Sequence, residues 1–313
     1  MAGSDALSAI GGTPLVKLNR LISEQSADVY VKLESLNPTG SYKDRMALAM
    51  IEAAEERGDL RPGMTVVEYT GGSTGTSLAF VCAVNGYRFQ VVSSDAFSAE
   101  KLQSMEAFGA ELHIVRSEDG VFTPDLMGRM MGAAEKLASA EGTYFTNQLH
   151  NRDSLQGYAR LGREILEQVP VDVDAFCASF CTAGMVMGAG RALKDANPAV
   201  QLILFEPAEA AMLTTGKGGK HDVEGIGIGL VPPLLDADLY DEVRAIRQDD
   251  ALDMARRLAR QEGLFVGKSS GLNVAGALQV AAELSPDHTV VTVAVDSGMK
   301  YLAGGLFTAS DRG

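Results

Sequence analysis

A chain of 313 residues, 46% hydrophobic and 22% charged, is long enough for one large or two ordinary globular domains with a sizeable core. A net charge of -14 argues against a nucleic-acid partner, whose phosphates demand a basic face. No apolar run approaches the roughly 18 residues of a membrane span, so no membrane partner is expected.

In chain order, residues 10–18 read as a turn and a short strand, and 29–33 as an alternating strand. Asn37, Pro38, Thr39 and Gly40 are turn residues. Ser41 and Asp44, just before the apolar run 46–51, have the spacing of a capping box that opens a helix. With Ser41 as N-cap, Lys43 falls at the second helical position, where the helix dipole disfavours an ammonium group. Such a lysine suits a deprotonated nucleophile or a Schiff-base amine; the ordinary alternative is a solvated surface lysine. The helix runs to about 57 and stops at Gly58. Strand 64–69, a small-residue turn and helix 75–85 ending at Gly86 come next. Strand 89–93, helix 99–108, strand 111–115, helix 125–140 and strand 143–146 complete a run of parallel βαβ units.

The polar loop 147–153 is the expected domain boundary, giving domains 1–150 and 151–313, with residues near 10–36 candidates to cross to the other domain. Helix 155–168, strand 175–179, helix 185–196 and strand 201–205 resume the alternation. A Gly-rich region over 214–229 interrupts it, before strand 243–246, helices 250–262 and 272–284, and an apolar strand over 289–295. The expected fold class is α/β, with two doubly wound domains. Cys82, Cys177 and Cys181 are an odd count without metal spacing and read as buried thiols in a reducing cytoplasm. The start MAGSDALSAIGG has no basic region before an apolar stretch, so no signal peptide is expected and the location expected is cytoplasmic. The four histidines show no metal-ligand spacing, and no metal is expected.

Five places could carry chemistry. Thr70, Gly71, Gly72, Ser73 and Thr74 follow a strand and open a helix, a place where exposed N–H groups and hydroxyls suit a carboxylate. A plain capped turn explains them equally well. Cys181, Thr182, Ala183, Gly184 and Met185 repeat the arrangement in the second half and suit a phosphate, although Gly is sparse and Met185 offers no hydroxyl. Neither turn is a P-loop or a dinucleotide fingerprint. Ser297 ends the last strand, where open α/β sheets place ligands, and could face a ring nitrogen or simply cap a turn. Gln148 could bind a carboxylate or satisfy loop backbone. Gly225, Gly227 and Gly229 could let a flat cofactor lie on backbone, or form a flexible turn.

Together, in order, these segments resemble the cysteine synthase (O-acetylserine sulfhydrylase) and cystathionine β-synthase family of pyridoxal-phosphate enzymes. The resemblance rests on IGGTPLV at 10–16, KLESLNPTGSYKDR at 32–45, YTGGSTG at 69–75 and NQ at 147–148. It continues through EGIGIG at 224–229, EGLFVGKSSG at 262–271 and VDSGMKYL at 295–302. It implies a pyridoxal 5'-phosphate cofactor in a cleft between the two domains, joined to Lys43 as a Schiff base. Its phosphate would lie on Cys181, Thr182, Ala183, Gly184 and Met185, its ring near Ser73 and Gly227, and its pyridine nitrogen against Ser297. Thr70, Gly71, Gly72, Ser73, Thr74 and Gln148 would take the α-carboxylate of an amino-acid substrate. Lys43 would be the catalytic base. The implied reaction is β-replacement on an activated L-serine, such as O-acetylserine, through an aminoacrylate, forming L-cysteine from sulfide as the small nucleophile. O-phosphoserine, cystathionine, cyanoalanine and diaminopropionate chemistry, a serine or threonine dehydratase and a non-catalytic relative are the alternatives. A homodimer is implied by analogy.

The chain departs from the family at both turns. The substrate turn usually reads Ser-Gly-Asn-Thr-Gly, and Gly71 and Ser73 here replace its first Ser and its Asn. The phosphate turn usually reads Gly-Thr-Gly-Gly-Thr, against Cys181, Thr182, Ala183, Gly184 and Met185 here. The donor and nucleophile depend on these changes more than the cofactor does.

Overall fold

The computed structural model describes residues 3–227 and 229–308. The chain forms two compact units: Asn37–Gly157 with the residues up to Ile10, and Gly11–Leu36 with Tyr158 onward. The expected boundary at 150 therefore moves to 157. Loop 147–153 is tied into unit 1, where Asn151 Nδ2 donates to the Thr146 carbonyl at 3.0 Å and Arg57 pairs with Asp153 at 2.8 Å.

The chain order opens with β1 (Leu15–Lys17) and β2 (Asp28–Lys32), both in unit 2. Unit 1 contains β3 (Thr65–Tyr69), β4 (Arg88–Ser94), β5 (Glu111–Val115) and β6 (Thr143–Phe145), all parallel, in the order β5-β4-β3-β6. Its helices are α1 (Lys43–Arg57), α2 (Ser73–Asn85), α3 (Ala99–Ala107) and α4 (Pro124–Ala138). Gly58 and Gly86 end α1 and α2 in the left-handed conformation that a Cβ disfavours, which is why those stops are visible in the sequence. Helix α5 (Ser154–Gln168) begins in unit 1 and continues in unit 2.

Unit 2 adds β7 (Ala175–Ser179), α6 (Gly184–Ala196), β8 (Gln201–Pro207) and the single-turn α7 (Met212–Thr215). It ends with β9 (Glu242–Ile246), α8 (Gln248–Arg257), α9 (Lys268–Ala282) and β10 (Thr289–Val293). The sheet order is β1-β2-β10-β7-β8-β9, parallel except for β1. Strands β3, β7 and β10 are buried at every position, as parallel strands covered on both faces should be. Helix α9 starts four residues before the expected 272, because the small residues Ser269, Ser270 and Gly271 are buried helix rather than turn. Among the described residues no helix is long and apolar enough to cross a membrane.

In each sheet the strand order reverses at one place: between β3 and β6 in unit 1, and between β7 and β10 in unit 2. Such switch points leave a crevice beyond the carboxyl ends of the strands. Three of the strands at these places lead straight into the turns at 70–74, 181–185 and 296–297, and β6 leads into the loop that carries Gln148.

Candidate functional site

Unit 1 brings together every carboxylate-binding candidate. Helix α2 starts at Ser73, with Gly72 as its N-cap and no side-chain capping bond, so its first amides are not masked by a cap. The plain-cap alternative fails for Thr74, whose hydroxyl donates instead to Gln148 Oε1 at 2.7 Å. Thr70 and Thr74 are buried, and the Thr70 hydroxyl accepts from the Gly72 N–H at 3.3 Å. Gly71 and Ser73 complete the turn at the N-terminus of α2.

Lys43 is only 7% exposed, which excludes the surface-lysine alternative. It is the first residue of α1 rather than the second, because Tyr42 at φ -58 already precedes it as N-cap. The expected capping box is rearranged. Ser41 Oγ accepts from the Lys43 N–H at 3.2 Å, while Asp44 accepts from the Thr39 N–H at 2.8 Å. Lys43 Nζ lies 3.7 Å from Met46 Sδ and 5.0 Å from the centre of the Tyr42 ring.

Sequence reasoning missed Glu68. This fully buried carboxylate accepts from the Thr146 hydroxyl at 2.7 Å, the Gln148 N–H at 2.9 Å and the Tyr69 N–H at 2.9 Å. It fixes the backbone from which Gln148 reaches Thr74. Burial pushes its pKa up to about 7 from 4.5; the three donors and the charge on Lys43 pull the other way without prevailing. One acidic residue in the otherwise apolar strand TVVEY was the available signal.

Unit 2 carries the other candidates. Ala183, the N-cap of α6, has φ +64, a left-handed conformation rare for a residue with a Cβ. It turns the chain at the N-terminus of α6, the type of place where backbone N–H groups suit an anion. Thr182, Ala183, Gly184 and Met185 are buried, and Thr182 Oγ1 accepts from the Gly184 N–H at 3.4 Å. Cys181 is half-buried rather than buried as expected, and with Phe180, Glu206 and Gly227 it lines one small pocket. Gly227 has φ +62 and lies close to His221, so a Cβ there would stand 2.5 Å from the imidazole Nε2. Ile228 of the expected Gly-rich segment lies outside the described residues.

Ser297, half-buried beyond β10, caps a short turn by accepting from the Met299 N–H at 3.3 Å, which leaves its hydroxyl proton available to donate. Asn273 on α9 holds the two strands beside this switch point: its Oδ1 accepts from the Ser179 N–H at 2.7 Å and its Nδ2 donates to the Val293 carbonyl at 2.9 Å. An aldehyde-bearing pyridine phosphate calls for a primary amine, a helix N-terminus that suits a phosphate and a neutral hydroxyl donor; Lys43 in unit 1, and residues 181–185 and Ser297 in unit 2, are of these chemical types. The residues present fit such a cofactor.

A family model described as pyridoxal-phosphate dependent enzyme matches residues 6–296. The chain is 39% identical over 306 residues to the cysteine synthase of Staphylococcus aureus, covering 96% of each chain. It is similar in structure to an O-ureido-L-serine synthase, with a TM-score of 0.92 and 36% identity, over 100% of this chain and 98% of that one. It is similar also to the O-acetyl serine sulfhydrylase isoform 3 of Entamoeba histolytica, with a TM-score of 0.92, 32% identity, and coverage of 100% and 94%.

Proposed function

The chain belongs to the pyridoxal-phosphate-dependent enzyme family, and from that premise we propose that it catalyses β-replacement on an activated L-serine. The donor of this reading is O-acetyl-L-serine, the nucleophile sulfide and the product L-cysteine. The observation that carries it is the buried Lys43, in the same unit as the Thr74–Gln148 pair at a sheet switch point.

Lys43 would hold the cofactor covalently, residues 181–185 its phosphate, Ser73 and Gly227 its ring, and Ser297 its pyridine nitrogen. When bound, pyridoxal phosphate supplies an electron sink that stabilises negative charge at the substrate α-carbon. Thr70, Gly71, Gly72, Ser73, Thr74 and Gln148 bind and orient the substrate carboxylate through the first-turn amides of α2 and the side-chain hydroxyls. Lys43 would take the substrate α-proton at Nζ and later return it. Ser297 would offer the ring nitrogen a neutral hydroxyl donor, which would favour elimination and replacement over transamination.

A second reading keeps the chemistry and changes the nucleophile. It is favoured by the turn itself, where Gly71 and Ser73 offer less side chain than the family's Ser and Asn. A homodimer in the cytoplasm, with domains close to the two observed units, belongs to the same proposal. Among the described residues Cys82, Cys177 and Cys181 form no disulfide, which is compatible with a reducing compartment.

The test is product formation. Protein loaded with pyridoxal phosphate should convert O-acetyl-L-serine and sulfide to L-cysteine, identified by mass. Lys43→Ala should lower kcat by at least about 1,000-fold, the scale of a lost proton-transfer group. No L-cysteine from the loaded protein, or undiminished turnover by Lys43→Ala, would overturn the reading.

A further inference from the structure

Gly71 is not a glycine for the sake of its backbone, since its φ lies outside the left-handed region. What excludes a side chain there is a neighbour. A Cβ on Gly71 would stand 2.1 Å from Cε1 and Cζ of Phe97 and 2.3 Å from Cδ1, inside the ring's own volume. Phe97 lies in the loop between β4 and α3, where its N–H donates to the Ser94 carbonyl at 3.2 Å. Its ring packs on Phe122 with centroids 5.4 Å apart and planes inclined by 45°.

The same side of the turn is covered at regular helical spacing. The Lys101 stem comes within 3.9 Å of the Cβ position of Gly72, and Met105 Sδ within 2.6 Å of that of Gly75. Phe97 in the loop before α3, with Lys101 and Met105 on α3, meets Gly71 and Gly72 of the turn and Gly75 in the first turn of α2, so this segment forms a wall along them. Phe97 is the member that faces Gly71, where the resembling enzymes carry a serine.

We propose that Phe97 is a specificity-determining residue, an apolar wall that occupies the volume left by Gly71 and limits the size of the group added at the substrate β-carbon. The proposal rests on the β-replacement reading, in which the α-carboxylate sits on this turn. The β-carbon is then only two bonds from the carboxylate carbon, and what it carries lies within reach of a ring that touches Gly71. In an apolar pocket one extra methylene changes discrimination by about 10-fold or more, and removal of a phenyl ring frees more than one methylene of space.

The test compares wild type, Phe97→Ala, Gly71→Ser and the double variant Gly71→Ser/Phe97→Ala. Each is loaded with pyridoxal phosphate and assayed with O-acetyl-L-serine against sulfide and against benzyl mercaptan. Phe97→Ala should raise the kcat/KM ratio of benzyl mercaptan to sulfide by at least about 10-fold, and the double variant should return part of that change. Thermal melting, which needs no turnover, reads the packing. Gly71→Ser should lower Tm in the wild-type background and cost much less beside Phe97→Ala. An unchanged ratio in Phe97→Ala, with wild type active, overturns the claim about Phe97 alone. Equal loss of Tm from Gly71→Ser in both backgrounds shows that the ring does not hold that space, and overturns it too. A wild type inactive with both nucleophiles overturns the β-replacement reading, and the claim about selectivity with it.

Discussion

A single carboxylate shows how chemistry and stability are joined in unit 1. Glu68 is buried on β3, and its acceptors are engaged by Thr146, Gln148 and Tyr69, with the charge of Lys43 acting on it as well. Desolvation outweighs all four and places its pKa at about 7 in the folded protein, against 4.5. Below pH 4.5 the group is protonated in both folded and unfolded chains and contributes no pH dependence. Between 4.5 and 7 the folded state holds a proton that the unfolded state has released, so stability falls as pH rises, and above 7 the loss is constant. The separation of the two values corresponds to about 3 kcal/mol. Glu68→Gln should therefore flatten this fall, so that the variant gains on the wild type from pH 5 to pH 8 in denaturant unfolding. Parallel stability curves for the two proteins would show that Glu68 is not the group that titrates. The same substitution should raise KM for the amino-acid donor, because an amide offers one acceptor oxygen and its NH2 group would face either the Gln148 N–H or the Tyr69 N–H that a carboxyl oxygen now accepts. Ala183 illustrates the opposite case of a residue whose place was legible but whose backbone conformation was not. Its position in a strand-to-helix turn could be read from the sequence, whereas φ +64 could not.

At the scale of elements, starts and stops were legible wherever one local interaction decides them. Gly58 and Gly86 end α1 and α2 where expected. The start of α1 was misplaced by one position, since Asp44 finds Thr39 five residues back, and nothing in the spacing of Ser41 and Asp44 reveals that choice. The early start of α9 was hidden because a run of small residues reads as a turn until packing buries it. Packing also decides which glycines matter. Gly157, in the first turn of α5, lies against α1 so closely that a Cβ would stand 2.3 Å from the Arg45 carbonyl oxygen and 3.0 Å from Ala49 Cβ. Gly157→Ala should cost about 2 kcal/mol in unfolding free energy, since backbone atoms cannot step aside as a flexible side chain does. Gly128, exposed on α4 with no atom within 4 Å of its Cβ position, is the control with the opposite sign. Gly128→Ala should stabilise by about 0.5 to 1 kcal/mol through helix propensity alone. Chemical denaturation of the two variants measures both effects, and the same sign for both would refute this account of the α1–α5 packing.

Across the whole molecule, the alternation of strands and helices revealed two α/β units but not which strands pair, because pairing order is set by contacts far apart in sequence. Strand β2 is the plainest instance. It precedes every strand of unit 1 in the chain yet pairs with β10 in unit 2, in parallel register from Asp28↔Thr289 to Lys32↔Val293. Its valines Val29 and Val31 are fully buried, as is Leu18 beyond β1, and all three belong to the core around Val290 and Phe205. At about 2 kcal/mol for each fully buried aliphatic side chain, these three contribute about 6 kcal/mol. That is comparable with the entire stability of an ordinary domain. A fragment of residues 158–313, which spans most of unit 2 in sequence, should therefore fail to fold cooperatively. It lacks the strand beside β10, and the apolar edge of TVVTV at 289–293 is left open to aggregation. Coexpression with residues 11–36 should restore soluble protein with a cooperative urea transition followed by circular dichroism. If the 158–313 fragment alone unfolds as sharply, and at the same urea concentration, as the pair, then β1 and β2 are dispensable and unit 2 does not depend on the N-terminal segment.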